Sequence, residues 1–536
     1  MLKRIPNSIK WGIIGTTVLS TSFIAYKYGK STILKNPPEN LFPKSSITKL
    51  EKLDAPKYID AKDIPSVIDL IKQEIDNVEV KNDQPEIDHH TGNEFTTHKP
   101  LIHEKPIYII YPKSTKEVST ILKICNEFKV PVVPFSGGSS LEGHFHSTRK
   151  GIVVDTSKMN KILEINDDDL DVKVQAGVNW QDLNQILEPC GLLFGTDCGP
   201  SGRIGGMIAT NASGILASRY ASTAFNVISI TAVLPDGTII KTKKRPRKSS
   251  AGYNLTNLFA GSEGTLGIVT EATLKVHPKP KSETVVVVQF PSISDSTKAV
   301  SQIFRSGIQP TAIELLDTNI MHCLNYSNYT TRKWLECPTL FFKIGGINDV
   351  VVNESVKIVK DITSNNNSSD FIFAENKEEG EELFSARKNA FYSMIEYGRN
   401  EIDPDCRIWV TDIAVPLSKL SKVLYKVHQM IKDSGFFSIT LAHAGDGNFH
   451  ADIFYKIEQR KEVEAMVNKF IELALKNEGT CTGEHGVGNA KRSYLLSELG
   501  DDTISLMRKL KLSIDPNRIM NPDKIFKIDP NDIGKY

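Results

Sequence analysis

Little in this chain of 536 residues marks an unusual class of protein. Its seven cysteines are odd in number and include no C-x-x-C, which excludes a paired zinc ribbon and argues against a disulfide scaffold. Net charge is nearly absent, 65 Lys+Arg standing against 64 Asp+Glu, so no overall field draws in an acidic partner, and no nucleic-acid partner is expected. No G-x-G-x-x-G occurs, and Gly29-Lys30-Ser31 lacks the upstream glycine of a P-loop because Ile24 stands in its place. A nicotinamide-binding Rossmann site and an NTPase are therefore disfavoured. No repeat period is visible. What is present, 40% apolar and 24% charged residues, is ordinary globular usage and argues against global disorder. At about 150 residues per domain the length fits about three to four domains, or two large ones.

Acidic residues are missing at the start, where basic ones are frequent. Lys3, Arg4, Lys10, Lys27, Lys30 and Lys35 all precede the first acidic residue, Glu39, an asymmetry typical of a targeting segment. Within it, Trp11–Tyr26 carries no charge and would span about 24 Å as a helix, slightly less than a hydrocarbon core of about 30 Å. A secretory signal and a buried helix compete with the favoured reading of residues 1–35, a mitochondrial targeting segment with a membrane anchor. Cations ahead of the apolar run place the body beyond the inner membrane, facing the intermembrane space. Four prolines between residues 36 and 58 open a linker or arm read over 36–104.

From Lys105 the texture becomes that of a folded α+β body. Pro106–Tyr111, a helix opened by Ser114-x-x-Glu117, and Val130–Phe135 predict a βαβ unit. Strands are expected at Ile152–Asp155, Leu170–Gln175, Val227–Leu234 and Ile268–His277, and a helix at Val178–Leu187. After Pro280 a second region opens with Val285–Phe290 and continues with strands at Leu340–Gly345, Ile408–Val415 and Phe449–Phe454. Its long helices are expected at Leu417–Ser434 and Ile457–Asn477. Domains are thus read at 105–280 and 281–536.

Three glycine clusters, Ser136–Gly143, Gly195–Gly214 and Gly261–Gly267, each lie beside a predicted strand of the first domain. Any one of them is ordinarily a tight turn. Three together suit a nest of backbone N–H groups around a pyrophosphate, where a Cβ would hold the phosphate away. The second domain carries LAHAGDGNFHADIF (Leu441–Phe454) and GTCTGEHGVGNAKR (Gly479–Arg492). The Gly445-Asp446-Gly447 turn lets His443 and His450 fold back toward each other. Glu484 could complete a two-histidine, one-carboxylate set suited to Zn²⁺, Mn²⁺ or Fe²⁺, leaving His485 free as a base. Satisfied core histidines are the alternative.

Together these blocks resemble a known superfamily. Pro134–Gly143, IGGMIATNASG (Ile204–Gly214) and GSEGTLGIVTEATL (Gly261–Leu274) are similar to the FAD-binding domain of the vanillyl-alcohol oxidase superfamily. The resemblance implies an α+β chain with a two-subdomain PCMH-type FAD-binding domain, followed by an α+β cap or substrate domain with a metal site. It implies that Ser136, Gly137, Gly138, Ser139 and Ser140 hold the pyrophosphate, with Pro134 also in the cofactor set. Gly205, Gly206, Asn211 and Gly214 would follow the flavin, with Glu263, Gly267, Ile268 and Val269 near the adenine and ribitol and Pro200 also in the cofactor set. Asn521, in the terminal D-P-N-R-I-M-N-P-D-K (Asp515–Lys524), joins the cofactor set. Relatives with covalent flavin have a His after the first Gly pair. Here Ser139 follows Gly137-Gly138, which implies non-covalent FAD.

H-A-G-D-G-N-x-H and G-E-H-G-x-G resemble the C-terminal domain of the FAD-linked D-2-hydroxy acid dehydrogenases. This resemblance implies that His443, His450 and Glu484 bind a divalent metal, Zn or Mn, and that His485 is the acid/base. It also implies that Arg387, in FSARKNAF, pairs the substrate carboxylate. The metal would bind the substrate's hydroxyl and one carboxylate oxygen, His485 would take the hydroxyl proton, and the C2 hydrogen would pass as hydride to flavin N5. Members acting on 2-hydroxyglutarate place a Thr and a Lys where an ungapped reading puts Phe391 and Val410. Apolar side chains cannot pair a second buried carboxylate, so D-lactate, giving pyruvate, is the expected substrate and cytochrome c the expected acceptor. A D-2-hydroxyglutarate dehydrogenase is the nearest alternative. A zinc hydrolase and a non-redox flavin-fold synthase or structural binder are the more distant ones. Lys241–Lys248, with six cations, resembles a nucleic-acid patch in isolation but is expected to be a solvated loop beside the cofactor domain.

Overall fold

The computed structural model describes residues 45–532, so the anchor expected at Trp11–Tyr26 lies outside the described residues. Contacts divide the chain at Thr48, and every described helix and strand belongs to the unit from Lys49 onward. Among the described residues no helix is long and apolar enough to cross a membrane.

Tyr108–Tyr111, Thr115–Phe128 and Val132–Phe135 form the expected strand, helix and strand. Ser114 caps the helix by accepting the Glu117 N–H at 3.2 Å, and Glu117 in turn accepts the Lys113 N–H at 2.8 Å. The helix buries Val118, Ile121, Leu122 and Cys125, spaced to face one side, and ends where Lys129 turns left-handed at φ 56°. The two strands do not pair with each other. Ile152–Asp155 inserts between them and runs parallel to both. The fourth strand, Glu79–Lys81, comes from the proline-rich arm and pairs antiparallel to Tyr108–Tyr111. The arm also contributes the helix Ile64–Glu74, which buries Ile64, Val67, Ile68 and Ile71 in this layer's core.

An antiparallel five-stranded sheet follows, in the order Ile162–Asn166, Asp171–Gln175, Ile268–Lys275, Val227–Val233 and Ile239–Lys241. The basic run extends from its edge. There Arg245 forms ion pairs with Asp169, Asp171 and Glu164 of the neighbouring hairpin.

The second region is built on one antiparallel sheet. Its order is Asp370–Phe373, Ser282–Gln289, Thr339–Gly346, Ala312–Leu316, Ser438–His443, Asn448–Tyr455 and Arg407–Trp409. The unbroken run of valines in Ser282–Gln289 reflects burial on both faces: Val286 and Val288 enter one core cluster, Val285 and Val287 the other. Ile408–Val415, expected as a single strand, is interrupted. Arg407–Trp409 and Ile413–Ala414 both pair with Asn448–Tyr455, and Thr411 between them bonds Ala451 through its hydroxyl rather than its backbone.

After the helix Arg492–Ile514, kinked at Gly500, the chain returns to the first sheet. Val132 donates to Ile519 O and Asn521 donates to Val132 O, each at 2.8 Å. Lys511 locks this return. Its buried ammonium donates to Thr265 O, Met520 O and Asp515 at 2.6, 2.7 and 2.5 Å. Replacing Lys511 by Met leaves Asp515 as an uncompensated buried charge, at a cost of about 3–5 kcal/mol. The expected result is a lower thermal midpoint and earlier protease cleavage of the C-terminal tail. An unchanged melt would show that the tail does not depend on this ammonium.

Candidate functional site

A cavity of about 840 Å³ runs from the first glycine loop to the histidine cluster, at the upper end of the range for ligand pockets. Pro134, Ser136, Gly137, Gly138, Ser139, Ser140, Pro200, Gly205, Gly206, Gly214, Glu263, Gly267, Ile268, Val269 and Asn521 all line it. Gly138 has φ +65°, and a Cβ there would stand 2.8 Å from the Phe135 ring. At Gly199, also in the wall, a Cβ would meet no protein atom within 4 Å and would point into open space. Asn521 donates to His144 O and Glu263 O at 3.0 and 2.7 Å, while its buried Oδ1 has no protein partner. A long glycine-lined trough with a buried acceptor left over fits a dinucleotide cofactor.

Two expected cofactor residues behave differently. Asn211 does not line the cavity. It caps the helix Ile204–Thr210 in a left-handed conformation, φ 50°, and its side chain accepts from Ser222 Oγ and Ala224 N, each at 2.9 Å. Glu263 lines the cavity, but its carboxylate accepts the N–H groups of Val487 and Gly488 at 2.7 and 2.9 Å. It thus ties the cofactor domain to the loop that carries Glu484 and His485.

The histidine cluster is set by a hairpin. Ser438–His443 pairs antiparallel with Asn448–Tyr455, with Leu441 opposite His450, so His443 and His450 are diagonal neighbours on one face. Their ring centroids are 5.6 Å apart. His443 Nε2 lies 3.1 Å and His450 Nε2 3.3 Å from the same oxygen of Glu484. The other ring nitrogens are committed: His443 Nδ1 to Glu314 and His450 Nδ1 to Thr411 O, each at 2.8 Å. This leaves both Nε2 atoms facing Glu484, the arrangement that metal-binding histidines require. Burial opposes a charged His443, yet Glu314 and Glu484 hold its imidazole well above the usual range. Glu484 is likewise held well below the carboxylate range by His443 and His450 against the effect of burial. The donor set therefore favours a cation and could hold a divalent ion.

Asp412, at the interruption of the expected strand, organises the second loop. Its carboxylate accepts the N–H groups of Glu484 and His485 at 3.1 and 2.8 Å and the Thr482 hydroxyl at 2.7 Å. His485 stacks on His450 with centroids 5.1 Å apart. Burial pulls its pKa down to about 4 against the opposing pull of Asp412, so the ring is neutral at pH 7. Arg387, on the helix Lys377–Tyr397, lines the cavity with Phe391 and Val410. Its Nε donates to Glu314 at 2.7 Å.

Sequence reading missed Glu314, Asp412, Asp197 and Asp452. Glu314 is the lone charge in the apolar strand Ala312–Leu316, and Asp452 the lone acidic residue in HADIF, a signal that was available. Asp197 and Asp452 also line the cavity, and burial pushes their carboxyls up to about 7.

Comparison with known proteins agrees with this construction. Residues 106–243 match the family described as FAD binding domain, and residues 279–525 the family described as FAD linked oxidases, C-terminal domain. The D-lactate dehydrogenase [cytochrome], mitochondrial, of Kluyveromyces lactis is 48% identical over 97% of this chain and 90% of its own length. D-lactate dehydrogenase [cytochrome] 1, mitochondrial, of Saccharomyces cerevisiae is 47% identical over 98% and 92%. Among solved structures, 4-ethylphenol oxidase from Gulosibacter chungangensis has TM-score 0.72 at 16% identity, covering 90% of this chain and 100% of its own. An alkyldihydroxyacetonephosphate synthase has TM-score 0.66 at 22% identity, covering 93% and 92%. These two share the fold. The chain belongs to the FAD-linked oxidase family and is an FAD-dependent oxidoreductase with the PCMH-type two-subdomain fold.

Because Glu314 fixes both His443 and Arg387, Glu314→Gln should weaken divalent-ion retention about 10- to 100-fold. Metal analysis after dialysis against a graded chelator, with flavin content as control, checks this. Equal retention in variant and parent would remove Glu314 from the site.

Proposed function

We propose that this chain oxidises D-lactate to pyruvate and passes the electrons singly to cytochrome c. We place it in the mitochondrion, at the inner membrane through its N-terminal segment, with the body facing the intermembrane space. The observation that carries the reading is the convergence in one cavity of a glycine-lined trough, the His443, His450 and Glu484 set, neutral His485, and Arg387 beside an apolar wall. The names of the 47–48% identical relatives support the same substrate and acceptor.

FAD, held non-covalently by the glycine trough, supplies a two-electron acceptor, and a divalent ion held by His443, His450 and Glu484 supplies a Lewis acid. The other tasks fall to side chains. With Nε on Glu314, Arg387 keeps its terminal nitrogens to pair one carboxylate in the planar geometry that lysine lacks. His485, neutral at pH 7, accepts the hydroxyl proton of the substrate. Phe391 and Val410 bound the pocket with apolar surface, which suits the methyl group of lactate and leaves a second carboxylate unpaired. The hydrolase alternative falls with the family assignment.

Anaerobic addition of D-lactate to the metal-replete yellow protein should bleach the flavin rapidly, with L-lactate and D-2-hydroxyglutarate slow. Preferential bleaching by D-2-hydroxyglutarate would overturn the substrate. In His485→Asn, bleaching by D-lactate should slow by about 10²–10⁴-fold with flavin content preserved. The double variant Phe391→Thr, Val410→Lys should shift the ratio of kcat/KM toward the dicarboxylate by at least about tenfold, and an unmoved ratio would show that these side chains do not set specificity.

A further inference from the structure

A second, smaller cavity of about 170 Å³ adjoins the first and shares Phe95, Phe391 and Val410 with it. The rest of its charged lining is mostly of one sign. Lys99, Arg399, Arg407 and Arg460 line it against a single carboxylate, Glu94. These cations come from four separate places: the arm, the turn after the helix Lys377–Tyr397, the strand Arg407–Trp409 and the helix Arg460–Leu475.

Lys99 is held by groups that carry no charge. Lys99 Nζ donates to the carbonyls of Asn93 and Glu94 at 3.1 and 2.8 Å. Arg460 donates to Thr97 O at 3.1 Å and to the Tyr455 hydroxyl at 3.2 Å, and it lies over the Trp409 ring. Arg399 meets Glu94 at 3.3 Å in an exposed pair. Neither Lys99 nor Arg407 has a carboxylate within ion-pair distance among the described residues. Burial and the Arg407 charge both lower the Lys99 ammonium below its ordinary range. Lys99, Arg399 and Arg407 are exposed, and like charges gathered around one recess attract an arriving anion. In a chain of net charge +1 this clustering is local and does not follow from overall composition.

We propose that this cationic antechamber draws small carboxylate anions to the Phe95, Phe391 and Val410 partition and so sets how fast substrate reaches the large cavity, with Lys99 and Arg407 as the steering charges. The inference rests on the reading of the large cavity as a site for 2-hydroxy carboxylates. It adds a route and a rate, not a further chemical step. The partition is aromatic and apolar, with Phe95 packed edge-on against Phe391 at 5.0 Å between centroids. Attraction and chemical recognition thus belong to different residues.

The test is anaerobic stopped-flow reduction of the intact flavoprotein by D-lactate, comparing Arg407→Glu, Lys99→Gln and the parent from low to high salt. Any D-2-hydroxy acid that bleaches the parent can replace D-lactate, so failure of the substrate assignment stays distinguishable from failure of steering. At low salt the second-order slope of rate against substrate concentration should fall by about three- to tenfold in Arg407→Glu, and less in Lys99→Gln. The curves should converge at high salt, with the saturating rate unchanged. Lys244→Glu, in the basic loop that lines neither cavity, serves as the charge-matched control and should leave the slope unchanged. A slope that is insensitive to both variants, or that falls together with the saturating rate at every salt concentration, would overturn the proposal, as would an equal effect from Lys244→Glu.

Discussion

The carboxylate of Glu314 is the constraint on which the site depends. It is fully buried in the strand Ala312–Leu316, with one oxygen on His443 Nδ1 and the other on Arg387 Nε. A carboxylate withdrawn from water costs several kcal/mol unless it is paired on both oxygens. Here two charge-assisted bonds at 2.8 and 2.7 Å offset that cost. They also fix which nitrogen of His443 faces Glu484 and which edge of Arg387 faces the cavity. His443 and Arg387 are therefore oriented by the same buried charge, so neither can turn independently of the other.

How much of this could be read beforehand depended on how local the signal was. The valine run after Pro280, the Ser114 cap and the helix Leu417–Ser434 are set by neighbours within a few residues, and all three stand where the pattern put them. The arm was less legible. Its strand Glu79–Lys81 and helix Gln84–His89 are too short to show a period. His443, His450, Glu484 and His485 stood in two glycine-flanked blocks that resemble a known family, and the fold brings the four together. Glu314 and Asp412 lie far from those motifs in the chain and reach them only through sheet pairing. Asn211, placed along the flavin by resemblance, has its side chain engaged in capping a helix, where it accepts from Ser222 and Ala224.

The interruption near Asp412 shows how a lapse in regular structure serves the site. An unbroken strand over Ile408–Val415 would have engaged the Thr411 carbonyl in the ladder. Because the Thr411 hydroxyl bonds Ala451 in its place, the carbonyl is available to His450 Nδ1, and Asp412 next to it can gather the amides of Glu484 and His485. Positions held by backbone groups of a rigid sheet are more precise than positions held by a loop alone. The glycine-rich loop from Gly479 to Gly488 gains that rigidity from Asp412.

The two halves of the chain complete each other at the same point. Glu484 receives a hydrogen bond from Ser213 of the cofactor domain at 2.8 Å, one residue before the cavity-lining Gly214. Glu263 of the same domain holds the amides just beyond His485, and Glu142 of the first glycine loop meets Lys491 at 3.1 Å. The loop bearing Glu484 and His485 is thus pinned from one side by the second domain through Asp412 and from the other by the domain that cradles the cofactor. Electron transfer needs the substrate's reacting carbon held at a fixed distance from the cofactor, and alignment errors of about 1 Å are costly. A shared loop anchored in both domains supplies that registration directly. It also explains why the chain returns through Ile519–Asn521 to the first sheet: with its end fastened there, the substrate domain is tied to the cofactor domain at both ends.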